Sequence, residues 1–171
     1  MGAGFAKGVA GRIVSIIVVK DLRAKFGPVR DQDPRPTCMS FAASDAHAGA
    51  RAGWQPLSVE WAYYHALMRD GAKPHSGTTM DSMLEALRAD GQPDESAWPY
   101  ITQLFTDTNA WIPPKADPLF RRGNTLQAAS VQAMIDRLDA DDPVLFTMSV
   151  SAGFFRPKRN GIIDVIEALE P

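Results

Sequence analysis

The run Val29-Arg30-Asp31-Gln32-Asp33-Pro34-Arg35-Pro36-Thr37-Cys38-Met39-Ser40-Phe41-Ala42-Ala43 places the single cysteine of the chain where a stiff loop gives way to an alanine-rich stretch. Gly27, Pro28, Pro34 and Pro36 keep the chain out of a helix up to Thr37, because proline lacks a backbone N–H and clashes with the preceding turn. From Cys38 to about residue 52 the alanines at 42, 43, 46, 48, 50 and 52 favour a helix that neighbours can approach closely, with Gly53 as its cap. Cys38 therefore stands at the first turn of a helix, where the positive end of the backbone dipoles favours a thiolate. Gln32, six residues earlier, offers a side-chain amide that could donate a hydrogen bond to an oxyanion.

Outward from that run, the 171 residues are 45% hydrophobic and 22% charged, enough apolar material for a sizeable core. The net charge of −2 and the scattered lysines and arginines argue against nucleic acid as a partner. One cysteine excludes an internal disulfide and a multi-cysteine zinc site. Asp139, Asp141 and Asp142 lack the alternation of a cation loop and precede Pro143, so they read as a solvated turn, and no metal or cofactor is expected. The apolar run Ile13-Val14-Ser15-Ile16-Ile17-Val18-Val19 is far shorter than the roughly 20 residues of a membrane span and reads as a β-strand. With no convincing signal peptide, the expected compartment is the cytoplasm and no membrane partner is expected.

Further along, a second helix is predicted over 59–70, with Ser58 as N-cap and Gly71 as its end. A third covers about 80–89, with Thr78 and Asp81 in a capping arrangement and Met80, Met83, Leu84 and Leu87 as its buried stripe. Prolines and aromatics make 96–124 a long packed connection. A fourth helix is predicted over 126–138, and strands over 144–150 and 162–166. These readings divide the chain into an N-terminal strand and lead-in (1–28), a helical lobe with the cysteine (29–125) and the first part of a β lobe (126–171), an α+β fold overall.

The segment 29–43, with Gln, five residues, Cys, another residue, a small residue and then Phe, resembles the active-site segment of papain-like cysteine peptidases. Further segments resemble the family in order: Leu57-Ser58-Val59-Glu60-Trp61 at a helix start, Ser76-Gly77-Thr78-Thr79-Met80 as a substrate-side loop, and Gly91-Gln92-Pro93-Asp94-Glu95-Ser96-Ala97-Trp98-Pro99-Tyr100. The stretch 143–163 is similar to the first strands of its β lobe. The resemblance implies Cys38 as nucleophile, Gln32 with the Cys38 N–H as oxyanion hole, and Ser76 and Gly77 as substrate-binding positions on a peptide or protein substrate. It departs from the family at Asp33, Arg35, Pro36, Thr37 and Met39, and the absence of a disulfide partner suits a bacterial branch.

That chemistry also requires a histidine and an Asn or Asp, which the resemblance places beyond Pro171. Of the three histidines present, His47 would lie about 13 Å along the helix axis from Cys38, and His65 and His75 read as exposed or hydrogen-bonded. The expectation is thus a peptidase polypeptide with little turnover alone. Two alternatives stay open: a non-catalytic binding module, and a subunit whose open β edge pairs with a complementary chain supplying His and Asn. On composition alone, Cys38 beside Met39 and Phe41 reads as a small buried hydrophobe.

Overall fold

Ser58 opens the central helix of the computed structural model, its Oγ accepting from the backbone N–H of Trp61 at 3.1 Å. The structure describes residues 18–123, 130–149 and 154. Four α-helices lie among them: α1 (Cys38–Gly49), α2 (Val59–Asp70), α3 (Met80–Ala89) and α4 (Val131–Asp139), with short 3-10 turns at Arg23–Lys25 and Glu95–Ala97. Gly71 closes α2 in the left-handed region at φ 61°, a conformation glycine adopts without a Cβ penalty. Thr79 rather than Thr78 caps α3, accepting from Ser82 N–H. Ser130 caps α4 through Ala133 N–H.

α2 packs against both α1 and α3, and its two faces bury different chemistry. On one face Ala62 and Ala66 meet Ala43 of α1 and Met83, Ala86 and Leu87 of α3, with Met39 and Leu145 against them. Alanine at these positions lets the helix backbones approach closely. On the other face Tyr63 and Leu67 bury Trp111, surrounded by Tyr64, Trp98, Ile101 and Phe105 of the following chain. Leu57, Leu67, Leu87 and Met83 are sealed from solvent, and each such side chain contributes about 1.5–3 kcal/mol.

Two isolated antiparallel bridges, Leu57 with Asp94 and Gln92 with Phe120, tie the loops to this core. Ser58 N–H donates to Pro93 O and Glu95 N–H to Pro56 O, both at 2.9 Å, and Gln92 and Phe120 exchange both bonds at 2.8 Å. Neither bridge extends into a ladder.

The expected α+β class is therefore corrected. Among the described residues there is no β-strand and hence no β lobe beside the helices. The segment 144–149 carries neither helix nor strand. Its apolar, β-branched character is a local property, whereas a strand exists only when a neighbouring backbone accepts its hydrogen bonds. Val18 and Val19, at the end of the N-terminal apolar run, are exposed and belong to no ladder. Residues 1–17, the predicted strand over 162–166 and the start of the fourth helix at 126 lie outside the described residues.

Candidate functional site

Cys38 is the first residue of α1 and its side chain is exposed, which removes the reading of a buried small hydrophobe. The loop that delivers it is fixed from beneath by Arg35, which is fully buried. Arg35 Nη1 and Nη2 donate to the two oxygens of Glu60 at 2.6 and 2.8 Å, and Nη1 also donates to Ile101 O at 2.7 Å. Glu60 in turn accepts from Trp111 Nε1 and from Ile101 N–H. The guanidinium lies 5.0–5.4 Å from the ring centres of Tyr63, Tyr100 and Phe105. Burial opposes its charge, but the hydrogen bonds and charge of Glu60 outweigh that and hold Arg35 above its ordinary value.

Gln32 belongs to the same loop. Its Nε2 donates to Arg35 O at 3.1 Å, and its own carbonyl accepts from Tyr100 OH at 2.7 Å. Because the Tyr100 proton is committed there, the 2.8 Å contact between Thr37 Oγ1 and Tyr100 OH has Thr37 as donor. Thr37 consequently does not cap α1 with its side chain.

Ser76 and Gly77 lie in the loop joining α2 to α3. Tyr63 OH donates to Ser76 O at 2.6 Å, and burial pushes the Tyr63 hydroxyl up to about 12. Asp70, the last residue of α2, accepts from Thr78 Oγ1, Thr79 N–H, Thr79 Oγ1 and Ser82 Oγ. Gly77 is exposed, and a Cβ built on it meets nothing within 4 Å. Arg35 against Tyr63 thus links the two loops through α2, while no hydrogen bond joins Cys38 to Gln32, Ser76 or Gly77 among the described residues.

All three histidines are engaged elsewhere. His47 Nδ1 meets Gln92 Oε1 at 2.9 Å, His65 Nδ1 lies 3.5 Å from Asp90, and His75 Nε2 donates to Phe105 O at 2.9 Å. Among the described residues no group of three His, Cys, Asp or Glu side chains converges on one point. With no base on the thiol and no β-strand among the described residues, the expectation of a papain-like cysteine peptidase enzyme is overturned. A local Gln-to-Cys spacing specifies a stiff turn into a helix, and many folds need that turn. No family model and no curated protein matches this chain.

A different surface emerges beside α1. An open groove of about 520 Å³ runs between α1 and two flanking segments. Ala42 and Ala46 lie on its α1 side, Leu22 and Phe26 on another, and Leu138, Val144, Leu145 and Phe146 on the third. Its two charged residues are already paired: Lys20 with Asp141 at 2.9 Å, and Asp45 with Arg30. Phe146 and Met148 remain 57% and 56% exposed. Among the described residues, 143–149 make no backbone-to-backbone hydrogen bond. α4 adds an unburied apolar stripe, with Val131 72% and Ile135 43% exposed. Sequence reasoning missed the groove, although the i, i+4 pair Ala42 and Ala46 was its trace. No helix among the described residues is long and apolar enough to cross a membrane.

Proposed function

We propose that this chain is a polypeptide-binding subunit that holds an extended, apolar segment of a partner protein in the groove beside α1. The observation that carries this reading is an apolar groove with 143–146 on its wall, in a stretch, 143–149, that makes no backbone-to-backbone hydrogen bond among the described residues. Apolar side chains ask for an apolar occupant, and a wall segment with no backbone partner among the described residues suits one that brings a backbone of its own. Because both groove charges are neutralised within the chain, a charged occupant gains nothing there. A net charge of −2 sets nucleic acid aside, and a lone cysteine without a disulfide suits the cytoplasm as the place of action. Cys38 with its exposed thiol, Gln32 in the same loop, and Ser76 and Gly77 in the α2–α3 loop offer further contact points for the same partner.

The test uses a library of fluorescent decapeptides alternating Val, Ile or Leu with Ser or Thr. The wild-type chain should bind members of it saturably. Ala46→Arg, which sets a charge into the groove, should fold with the same circular dichroism and bind at least about tenfold more weakly. No binding by the wild type, or equal binding by both chains, overturns the reading.

A further inference from the structure

Lys20 marks the point at which the N-terminal chain meets the groove. It lies on the groove wall and is held there by Asp141 at 2.9 Å and by the carbonyl of Asp139 at 3.2 Å. Leu22 and Phe26, just after it, belong to the same lining. The two residues before it stand clear of the protein, Val18 being 65% exposed and Val19 88%. They end the run Ile13-Val14-Ser15-Ile16-Ile17-Val18-Val19, of which 13–17 lie outside the described residues.

That run has the properties the groove asks of an occupant. It carries no charge, and the two charged residues of the groove are already paired within the chain. Six of its seven residues are β-branched, which favours an extended backbone. Extended, it spans about 23 Å and sets Val14, Ile16 and Val18 on one wholly apolar face. Its backbone suits the wall segment 143–149, which makes no backbone-to-backbone hydrogen bond among the described residues.

The junction at Lys20 disfavours the groove of the same chain. The two-residue turns that fold a strand tightly back along the chain that follows it put positive φ at a central residue. Residues 18–22 are Val-Val-Lys-Asp-Leu, without glycine or asparagine, and none of them has positive φ.

We propose that the occupant is the 13–19 run of a second copy of this chain, and that two copies exchange runs in a closed dimer. This rests on the groove reading and names its partner. Each run leaves from the rim of its own groove, so a two-fold arrangement that seats one run in the facing groove seats the other as well. The exchange therefore closes as a pair and does not propagate into a filament.

Sedimentation velocity of the full chain from about 1 to about 200 µM should show monomer giving way to dimer and to nothing larger. Ala46→Arg spoils the groove, and Ile16→Asp with Val18→Asp spoils the run. Each of these chains should self-associate at least about tenfold more weakly than the wild type. Mixed, they should form a heterodimer more tightly than either self-associates, because one intact run meets one intact groove. A wild type that stays monomeric over the whole range, a run or groove variant that associates like the wild type, or a mixture no tighter than its components overturns the proposal. Should the run variant lose the wild-type circular dichroism, a fluorescent peptide of residues 12–20 replaces it. Saturable binding to dilute wild-type chain, at least about tenfold weaker to Ala46→Arg, then supports the exchange, and its absence overturns it. The two readings fail separately. Alternating decapeptides that bind a strictly monomeric wild type leave the groove its function and remove the second copy, whereas a groove that binds neither decapeptides nor the 12–20 peptide removes both.

Discussion

Arg35 carries a full charge in a site that no water reaches, and it is tolerated because Glu60 meets it through two hydrogen bonds while Ile101 O takes a third. Removing one partner strands the other. Glu60→Ala also leaves Trp111 Nε1 and Ile101 N–H without their acceptor. We expect a loss of about 3–5 kcal/mol in urea unfolding. The double change Arg35→Met with Glu60→Leu should recover much of that loss, since an apolar pair of similar volume has nothing to desolvate. A double variant no more stable than Glu60→Ala would show that the aromatic cage of Tyr63, Tyr100 and Phe105 requires the guanidinium itself. Arg35 and Glu60 are 25 residues apart, and no local pattern announces the pair. The sequence does expose Cys38 as the head of a helix, and the structure adds that its thiol faces solvent. A maleimide should label it to completion in the folded chain without changing the thermal midpoint; labelling only after denaturant is added would contradict that exposure.

The joint between α2 and α3 depends on one carboxylate. Desolvation raises the Asp70 pKa, but hydrogen bonds from Ser82, Thr78 and Thr79 outweigh it and lower the carboxyl to about 2. A depressed carboxyl stabilises the fold above its unfolded value of 3.8, and that contribution is lost as pH falls from there through about 2. Asp70→Ala should cost about 1–2 kcal/mol, the scale of a lost cap and its neighbours, and should remove this part of the acid dependence. Faster amide exchange at 78–82 would locate the effect. Two glycines flank the same region with opposite expectations. Gly77→Ala should change stability by less than about 0.5 kcal/mol, because its Cβ enters open space. Gly91→Ala should be clearly destabilising, since Gly91 has φ +74° and its Cβ would lie 2.7 Å from Phe120 O. Helix ends of this kind were legible in the sequence: Ser58 and Gly71 follow from short-range capping rules, and the limits 80–89 from the apolar stripe, although the cap is Thr79 and not the expected Thr78. The end of α1 was less so. It stops at Gly49, where the chain tightens through Arg51 N–H to Ala48 O, three residues before the alanines run out.

At the scale of the whole molecule, what the sequence hid is what depends on partners distant in the chain. The stretch Val144-Leu145-Phe146-Thr147-Met148 has the composition of a strand, yet among the described residues no backbone pairs with it, and Leu145 instead packs on the α1–α2–α3 core. The same holds for α4, whose apolar period was visible while its lack of any buried residue was not. An amphipathic helix normally draws its stability from the surface it covers, so a helix with Val131 and Ile135 facing water is held by its caps and its attachment to the groove. Lys20 provides that attachment, through Asp141 and the carbonyl of Asp139 at the end of α4. Replacing exposed apolar groups there removes little buried area. Ile135→Lys combined with Phe146→Ser should therefore leave the unfolding free energy within about 0.5 kcal/mol of the wild type. The same chain should show weaker binding of the alternating decapeptides and weaker fluorescence of a bound hydrophobic dye. A loss of several kcal/mol would instead mean that α4 and 143–146 are core elements of this fold, and the groove between them and α1 a packing seam rather than a place for a partner.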